Sequence, residues 1–303
     1  MEMIFRSCPL CGSSNTGRIF AKADFDVERL DSFAFASRKM PEYMHYQLID
    51  CPTCDLLYAS PLPRKETLEH GYCDANYDSG VEAHYAAETY AGFLSTIIGR
   101  LPDRHGALDI GAGDGAFLEH LQEYGFDGIV GIEPSRAPIA AAHADVRPLI
   151  REGLFSGDDF PPNSFSLVTC FQTLEHLHDP LEMVRAVRKL LKPGGAVFFI
   201  CHNRHALSAR LLGRKSPIFD IEHLQLFSPR SAHYLLEKCG FEYLRGEEIL
   251  NRYPLRYWCR LLPLPRKVKH LFIRLLDRLG IGKLPLSVPA GNIAVVGFKT
   301  VES

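Results

Sequence analysis

The sequence lacks any run of about 18 apolar residues, the length that a membrane-spanning helix needs. Its first residues also lack the basic flank and the long apolar run of a secretory signal peptide. No internal repeat and no low-complexity tract is present. With 46% hydrophobic residues, 19 Phe and 12 Tyr, the composition argues against a disordered chain. We therefore expect a globular, cytoplasmic protein of one large domain or two smaller ones.

Nine cysteines are present, and a reducing compartment favours metal ligands and buried thiols over disulfides. Four of them form two Cys-x-x-Cys pairs, Cys8 with Cys11 and Cys51 with Cys54. Two such turns supply four sulfurs in a tetrahedral set that suits Zn²⁺. Because a closed four-cysteine site leaves no position for a substrate, the pattern predicts a structural zinc ion. The alternative is a redox dithiol, which usually occurs once, beside a helix in a βαβ unit.

Proline and apolar patterning divide the chain into three parts. Pro61-Leu-Pro63 closes a zinc-binding segment over residues 1–62, and a helical linker or cofactor lid is expected over 63–105. From 106 to 303, short apolar runs alternate with helical patterns, which predicts a doubly wound (Rossmann-like) α/β sheet. The expected strands are 107–110, 128–132, 146–150, 165–171, 195–201, 241–250 and 291–299. The expected helices are 115–124, 135–144, 180–191 and 229–238, with a basic helical insertion at 251–290.

A glycine-rich turn lies between the first expected strand and helix of this sheet. Gly111, Gly113 and Gly115 alternate there, so that the chain can turn sharply and its backbone can approach a ligand. Glu133 follows at the end of the next strand, where a carboxylate binds the hydroxyls of a ribose. The spacing also satisfies the fingerprint of NAD-binding proteins, and a glycine-rich turn without a ligand is the structural alternative.

Two acidic residues decide between a dinucleotide and S-adenosylmethionine. Asp109 precedes the loop, and Asp114 lies within it. Carboxylates there repel the pyrophosphate of a dinucleotide, whereas they attract the amino group and the sulfonium of S-adenosylmethionine. The sequence therefore favours S-adenosylmethionine as the cofactor.

The run 106–201 resembles the class I S-adenosylmethionine-dependent methyltransferases. Beside the loop, it carries Glu175-His176-Leu-x-Asp179-Pro180 and Leu191-Lys-Pro-Gly-Gly195. With its cysteine pairs, the whole chain resembles the branch that has an N-terminal zinc-binding segment and includes sugar C-methyltransferases. The resemblance implies a seven-stranded sheet with a helical insertion before the last strand. It also implies cofactor contacts from Asp109, Gly111, Gly113, Gly115, Glu133, Pro134, Glu152, Gly153, Leu154, Phe171 and Gln172.

Methyl transfer to a hydroxyl or to an acidic C–H needs a group that removes a proton, and histidine suits this role near pH 7. The sequence favours His223, which lies beside Glu222 after the fifth strand. Sugar C-methyltransferases resemble the chain here and have a catalytic Glu-His pair, but Asp220 stands where their tyrosine is expected. His176 is the second candidate. The alternatives are histidines that only pack or orient their loops.

Residues 251–283 are strongly basic, with nine Lys or Arg and one acidic residue in a chain of net charge −2. A helical wheel of Arg266–Leu279 leaves Lys269 on a basic face opposite an apolar arc of about 140°. The arc contains Val268, Leu271, Phe272, Leu275, Leu276 and Leu279. One interpretation is a lid helix whose apolar face packs on the core. The other is peripheral association with an anionic membrane or binding of a phosphate-bearing carrier.

These observations predict a methyltransferase that acts on a small polar acceptor, a sugar linked to a nucleotide or a lipid. One alternative is an RNA-modifying or nucleic-acid-binding factor whose cysteine segment contacts RNA. Residues 1–62 carry a balance of −2, whereas phosphate binding requires a basic surface, so we expect no nucleic-acid partner. Another alternative is a non-catalytic scaffold, against which the intact loop and Glu133 argue.

Overall fold

Short strands organise the N-terminal part of the chain. The computed structural model describes residues 2–14, 17–29, 34–36, 41–77 and 80–301. Its first strands are β1 (Met3–Ile4), β2 (Arg18–Ala21), β3 (Leu48–Asp50), β4 (Leu57–Ala59) and β5 (Leu62–Pro63). Strands β2, β3 and β4 pair in antiparallel order, and β1 pairs with β5. Parts of the two expected N-terminal segments, residues 15–16, 30–33, 37–40 and 78–79, lie outside the described residues.

A larger sheet with helices between its strands follows. The remaining strands are β6 (His105–Ile110), β7 (Asp127–Glu133), β8 (Ile150–Glu152), β9 (Phe165–Phe171), β10 (Leu191–His202), β11 (Gln225–Leu226), β12 (Phe241–Pro254) and β13 (Pro285–Lys299). The helices are α1 (Lys65–Cys73), α2 (Gly80–Leu94), α3 (Ala116–Glu123), α4 (Arg136–Ala141), α5 (Pro180–Leu190), α6 (Leu207–Leu212), α7 (Pro229–Lys238), α8 (Leu255–Leu261) and α9 (Arg266–Arg278).

The order of the large sheet places its ligand-binding edge. Seven strands pair in the order β12-β13-β10-β9-β6-β7-β8, and within this sheet β13 runs antiparallel to its neighbours. The order reverses between β6 and β9, which pair directly. In open parallel sheets, ligands bind beyond the carboxyl ends of the strands at such a reversal. The doubly wound, seven-stranded sheet expected from the sequence is confirmed.

Helices α5 and α7 begin where the sequence supplies caps. The Asp179 side chain accepts a hydrogen bond from the Glu182 N–H at 2.8 Å. The Ser228 side chain accepts one from the Ser231 N–H at 3.1 Å. A proline follows each cap, where its missing N–H costs nothing because the first turn has no partner for it. These caps explain why both helices start within a residue of their expected positions.

One expected strand is displaced. The strand expected at 146–150 begins only at Ile150 and continues to Glu152. Residues Arg147–Leu149 form a 3₁₀ turn instead, because Pro148 lacks the N–H that a strand ladder requires. Strand β8 is consequently a short edge strand that pairs with the end of β7.

The insertion expected at 251–290 is helical only in its middle. Its two ends extend β12 and β13, whose antiparallel pairing continues outward to Pro254 and Pro285. Helices α8 and α9 lie between these ends, and the Trp258 Nε1–H donates to the Leu286 carbonyl at 2.9 Å. Within the described ranges, no helix is long and apolar enough to cross a membrane.

The N-terminal segment shares its core with the large sheet. Leu10 and Leu56 are fully buried in one cluster with Val168 of β9 and Leu235 of α7. Strand β11 also pairs with β4, although it lies more than 160 residues later in the chain. The loop that precedes β11 is therefore held by the N-terminal strands.

Candidate active site

A cavity of about 1340 Å³ opens at the carboxyl ends of β6, β7, β9 and β10. Helices α1, α2 and α8 contribute Tyr72, Tyr90 and Tyr257 to its walls. Pockets that bind one drug-sized ligand have volumes of roughly 300–1,000 Å³, so this cavity is larger than a site for a single small ligand requires. Its polar residues divide into a group around the glycine loop and a group of histidines.

The glycine loop joins β6 to α3. Gly111, Gly113 and Gly115 have φ angles of +81°, +57° and +77°, which glycine adopts without strain. A Cβ at Gly111 would clash with Thr173 Oγ1, so glycine lets this loop approach the loop after β9. A Cβ at Gly113 would meet nothing within 4 Å, and this residue lines the cavity. The loop therefore presents its backbone to a ligand.

Glu133 ends β7 and faces the same loop. Its Oε2 accepts a hydrogen bond from the Gly113 N–H, and its Oε1 accepts one from the Ser135 N–H, each at 2.9 Å. Each carboxylate oxygen keeps a second lone pair, so the two oxygens can also accept from neighbouring hydroxyls of a ribose. Burial raises the pKa of Glu133 to about 6.

Two further carboxylates lie at the loop. Asp109, near the end of β6, is 2% exposed and accepts a hydrogen bond from Thr169 Oγ1 at 2.6 Å. Burial raises the pKa of Asp109 to about 7, and a cation beside it would lower this pKa. Asp114 accepts a hydrogen bond from the Tyr77 hydroxyl at 2.6 Å. The loop region is therefore suited to a ligand with positive charge.

Most of the other expected cofactor residues also reach the cavity. Its lining includes Pro134, Gly153, Leu154, Phe171 and Gln172. Gln172 has a φ of +53°, and its buried side-chain NH₂ group has no partner among the described residues. An unpartnered buried donor costs free energy, which a ligand with an acceptor atom would recover. Gln172 is thus placed to bind a polar ligand group.

Two expected cofactor residues do not line the cavity. Glu152 lies in the edge strand β8, and its exposed carboxylate pairs with Arg136 at 2.7 Å, which draws it towards solvent. Gly115 lies below the loop, where a Cβ would crowd Ile150 and Val146 at 3.1 Å. Glycine at this position allows α3 to pack closely on β8 and the turn before it.

Three histidines from three loops meet in the cavity. The ring centroid of His223 lies 5.1 Å from that of His176 and 4.9 Å from that of His202. His176 follows β9 and His202 ends β10, and these strands pair in parallel, so their carboxyl ends coincide. His223 and Glu222, in the loop before β11, complete the group. The structure thus brings together the three residues expected to be catalytic.

Hydrogen bonds fix which ring nitrogen carries a proton. His223 Nδ1 lies 2.9 Å from the Ile218 carbonyl oxygen, which can only accept, so Nδ1 donates and Nε2 carries the lone pair. The Tyr72 hydroxyl donates to the Glu222 carbonyl at 3.1 Å. Tyr72 must then accept from His176 Nδ1, at 3.0 Å, because it has one proton. Both His176 and His223 therefore carry a basic Nε2.

Charge and burial separate His223 from His202. Glu222 Oε1 lies 3.7 Å from His223 Nε2, so a protonated ring would face a carboxylate. Burial lowers the pKa of His202 to about 4, and its Nδ1 donates to Asn292 Oδ1 at 2.8 Å. Near pH 7, His202 is therefore neutral, whereas His223 is the histidine that faces the Glu222 carboxylate.

Sequence reasoning missed several residues of the cavity wall. Asn251 of β12 is 1% exposed and lines the cavity, and neither polar atom of its side chain has a partner among the described residues. Tyr253, Tyr257 and Trp258 lie beside it, with ring centroids 4.6 Å apart for the two tyrosines. The sequence signal for Asn251 is an amide residue directly after the expected strand 241–250.

The loops that carry the histidines rest on the N-terminal segment. The Arg6 guanidinium donates to the His178 carbonyl at 2.9 Å and to the Leu224 carbonyl at 2.8 Å. The Gln225 side chain donates to the Leu174 and Leu177 carbonyls at 2.9 and 2.8 Å. Arg6 thus links the N-terminal segment to the loop after β9 and to the loop before β11, and Gln225 of β11 holds the loop after β9.

The four cysteines expected to bind zinc converge. The sulfurs of Cys8, Cys11, Cys51 and Cys54 all lie within 4.8 Å of one another. The Cys8–Cys54 and Cys11–Cys51 separations are 3.5 and 3.4 Å. A tetrahedral zinc ion with Zn–S bonds of about 2.3 Å places its sulfurs about 3.8 Å apart. The cluster has the composition and size of such a site.

The chain matches a family model described as a methyltransferase domain over residues 83–245. This match covers more than half of the chain and includes the glycine loop, Glu133 and all three histidines. The chain belongs to this methyltransferase family. Most residues that line the cavity of the methyltransferase lie within the matched region. The N-terminal segment, α1, β12, α8 and β13 complete its wall.

Curated relatives share part of the methyltransferase sequence. A ubiquinone biosynthesis O-methyltransferase of Pseudomonas entomophila is 33% identical over 135 residues. A protein of the same name from Methylococcus capsulatus is 37% identical over 136 residues. Each match covers 42% of this chain and 54% of the relative. The chain thus spans about half the length of the curated relatives that it matches.

A crystal structure of a Bacillus halodurans protein described as a methyltransferase is also similar. It has a TM-score of 0.50 at 16% identity, and the match covers 69% of this chain and 98% of that chain. At this identity, the likeness shows the fold alone. The methyltransferase has the class I S-adenosylmethionine-dependent fold that the sequence resemblance implies.

Proposed function

We propose that the protein transfers the methyl group of S-adenosylmethionine to a hydroxyl group of a sugar carried on a nucleotide or a lipid. One observation carries the proposal: the glycine loop with Glu133 and the histidine cluster line one cavity. A cofactor and an acceptor bound at these two places would lie next to each other, as in-line transfer requires. Membership of the methyltransferase family supports this reaction class.

The residues around the loop fit the cofactor. The bare backbone at Gly113 leaves room for a ligand, and the two oxygens of Glu133 suit the two hydroxyls of its ribose. Asp109 suits its positively charged amino group, and the unpartnered amide of Gln172 suits its carboxylate. A dinucleotide would instead bring its phosphates towards Asp109 and Asp114, which like charges disfavour.

His223 is the proposed base. The cofactor supplies an electrophilic methyl group and leaves as a neutral thioether, so no acid catalyst is needed. The chain must hold the acceptor hydroxyl in line and remove its proton. His223 Nε2 accepts this proton, and the Glu222 carboxylate, 3.7 Å away, stabilises the imidazolium. His176, oriented by Tyr72, holds the acceptor.

The composition of the cavity wall supports a sugar as acceptor. Asn251 offers an unpartnered amide, while Tyr253, Tyr257 and Trp258 offer ring faces. A sugar carries hydroxyls around its edge and C–H groups on its faces, so it can use both kinds of partner. We infer that the acceptor stacks on the aromatic rings while the Asn251 side chain forms a hydrogen bond with one of its hydroxyls.

A second candidate acceptor is a phenolic hydroxyl of a quinone precursor. The relatives are named ubiquinone biosynthesis O-methyltransferases, and they share about a third of the residues in the matched part. A phenol would use the same base and the same aromatic rings. It would not need the amide of Asn251, which distinguishes the two acceptors.

Isotope transfer tests the proposal. The protein would be incubated with methyl-deuterated cofactor and, separately, with nucleotide-linked sugars, lipid-linked sugars, hydroxylated phenols and RNA. Mass spectrometry should find the label in a sugar, and Asn251→Ala should raise KM for that sugar with kcat little changed. Label in the phenol alone would establish the second candidate. Label in RNA, or no transfer to any of the four classes, would contradict the proposal.

We also propose that the four-cysteine cluster binds one structural Zn²⁺. Four thiolates satisfy the ion, so it would have no role in transfer. A metal ion there would hold together the two turns on which Arg6 and β4 depend. Its function is then to support the loops that carry His176 and His223.

A further inference from the structure

Helix α9 exposes a stripe of large apolar side chains. Leu271, Phe272, Leu275 and Leu279 are 68%, 49%, 49% and 61% exposed. Residues spaced by three, four and seven positions share one face of a helix, so these four form a continuous stripe. A lid helix that packs its apolar face on the core, the first interpretation of this segment, would bury them. The structure contradicts that interpretation.

Contacts of Lys269, which lies away from the apolar stripe, fix the orientation of α9. Lys269 is 3% exposed, and its Nζ donates to the Arg260 carbonyl at 2.8 Å. The same ammonium lies 5.6 Å from the ring centroid of Tyr43, a cation–π contact. The helical wheel assigned Lys269 to the solvated face, and this assignment is wrong. Turning the helix to bury its leucines would break both contacts of Lys269.

Basic side chains border the apolar stripe. Lys267, Arg274 and Arg278 follow one another at spacings of seven and four residues, and each is three or four residues from Leu271 or Leu275. All three are exposed. Asp277 is the one acidic residue of α9. An apolar stripe with a cationic border is the pattern of helices that lie in the interface of a membrane.

We propose that α9 binds the surface of an anionic lipid bilayer, with its apolar stripe in the interface and its basic border at the headgroups. A helix of 13 residues, about 20 Å long, is too short to span a bilayer but long enough to lie in its plane. A second copy of the chain would bring the same cationic border against its own, so charge disfavours self-association through this face.

Binding through α9 would place the cavity close to the membrane. Helix α8 packs against α9 and contributes Tyr257, Trp258 and Leu261 to the cavity wall. An acceptor held in the bilayer by a lipid would then reach the cavity without leaving the surface. The inference goes beyond the proposed reaction and does not depend on it, since vesicle binding requires no turnover.

Vesicle flotation tests the proposal with the full-length protein. The vesicles would contain phosphatidylcholine alone or with about 40% phosphatidylglycerol, at low salt. We expect flotation with the anionic vesicles and at least tenfold less with the neutral ones. Leu271→Asp with Leu275→Asp, and separately Lys267→Glu with Arg274→Glu and Arg278→Glu, should each lower binding to anionic vesicles by at least tenfold.

Matched controls distinguish the loss of the apolar stripe from a general effect of added negative charge. Phe5→Asp with Val301→Asp makes the same charge change at residues that are 73% and 71% exposed outside α9, and it should leave flotation unchanged. Unchanged melting temperatures would show that each variant is folded. Absence of flotation at low salt, or equal binding of neutral and anionic vesicles, would overturn the proposal. A dimer that the Leu271→Asp and Leu275→Asp pair dissociates would overturn it too, by assigning the stripe to a second copy.

Discussion

The hydrogen bond from His223 Nδ1 to the Ile218 carbonyl oxygen leaves Nε2 as the nitrogen that can take a proton. Replacing His223 with alanine removes that lone pair while the glycine loop stays intact. We expect kcat to fall by roughly 10²–10⁴-fold, the usual contribution of a positioned base. Steady-state kinetics would measure the loss, and calorimetry should show unchanged cofactor affinity.

His233→Ala is the matched control for this variant. His233 lies on α7, pairs with Glu237 at 3.9 Å and does not line the cavity, so its loss should leave kcat unchanged. Full activity of His223→Ala together with an inactive His176→Ala would show that His176 is the base instead.

We expect the carboxylates of the proposed cofactor site to make binding depend on pH. Burial raises the pKa of Asp109 to about 7 and that of Glu133 to about 6. A cationic amino group and ribose hydroxyl donors favour the ionised carboxylates, so binding competes with their protonation. Affinity for S-adenosylmethionine should therefore rise as the pH increases from about 5.5 to about 8.

Calorimetric titrations at several pH values would measure this dependence. Glu133→Gln does not titrate, so it should bind more weakly at pH 8 and lose part of the pH dependence. An affinity of the unaltered protein that stays flat between pH 5.5 and 8 would show that these carboxylates do not face the ligand.

The N-terminal strands act as one element with the loops of the cavity. Strand β11, which begins two residues after His223, pairs with β4, and Arg6 donates to carbonyls in both loops. The two cysteine turns flank this arrangement: Cys8 follows Arg6, and Cys54 precedes β4. A change in the cysteine cluster should therefore disturb the positions of the cavity histidines more than it disturbs the glycine loop.

Zinc removal should consequently separate turnover from cofactor binding. We expect one zinc ion per chain, and Cys51→Ser should lose it because a closed site needs all four ligands. Turnover should fall by more than tenfold, with cofactor affinity changed by less than about threefold, because metal binding and local folding are coupled. Elemental analysis and calorimetry would measure both effects.

Cys73→Ser is the control, since Cys73 is an exposed cysteine of α1 outside the cluster. It should keep its zinc and its activity. Protein purified under reducing conditions that contains neither zinc nor iron would refute the metal site.

The elements that the sequence predicts well are those with a strong local signal. Strand β9 and helix α7 match their expected bounds, because one is a short, mostly apolar run and the other starts at a capping serine and ends before Gly240. The strand expected at 146–150 fails because Pro148 overrides the apolar pattern. The prediction of helix at the two ends of the insertion is wrong, because these ends pair as strands β12 and β13 and such pairing is a long-range contact.

Residues of the site divide in the same way. The glycine loop, Glu133 and the four cysteines could be predicted because spacing along the chain defines each of them. The place of Asn251 in the cavity wall and the role of Tyr72 could not be predicted. A neutral amide or a tyrosine is common in any protein, and its role here depends on residues that are far away in the chain. Glu152, which the resemblance places near the cofactor, does not line the cavity, and its position along the chain did not reveal its ion pair with Arg136.

For the whole molecule, a buried carboxyl group links stability to pH. Glu175 is fully buried and accepts a hydrogen bond from the His202 N–H at 2.5 Å, and burial raises its pKa to about 8. The folded chain keeps a proton that the unfolded chain releases above its ordinary pKa. Glu175 should therefore lower the free energy of unfolding progressively as the pH rises towards 8, by about 1 kcal/mol per unit.

Glu175→Gln removes this titration and keeps the accepting oxygen. The free energy of unfolding of this variant, minus that of the unaltered protein, should increase between about pH 6 and 8 in denaturant titrations. This difference in the free energy of unfolding reports the titration of Glu175 alone, because other titrating groups contribute equally to both proteins. The exposed Glu242→Gln should give a difference independent of pH, and the same flat result for Glu175→Gln would show that Glu175 is ionised in the folded protein.

The most direct test of the cofactor site is a calorimetric titration with S-adenosylhomocysteine. We expect micromolar binding, no heat with NAD, and loss of binding in Gly113→Ala, because the loop backbone faces the ligand. Gly280→Ala is the control: its φ of +71° imposes similar strain, and it too would place a Cβ in open space, but away from the cavity. Binding of NAD, or equal affinity of Gly113→Ala and the unaltered protein, would contradict the assignment of the cavity to S-adenosylmethionine.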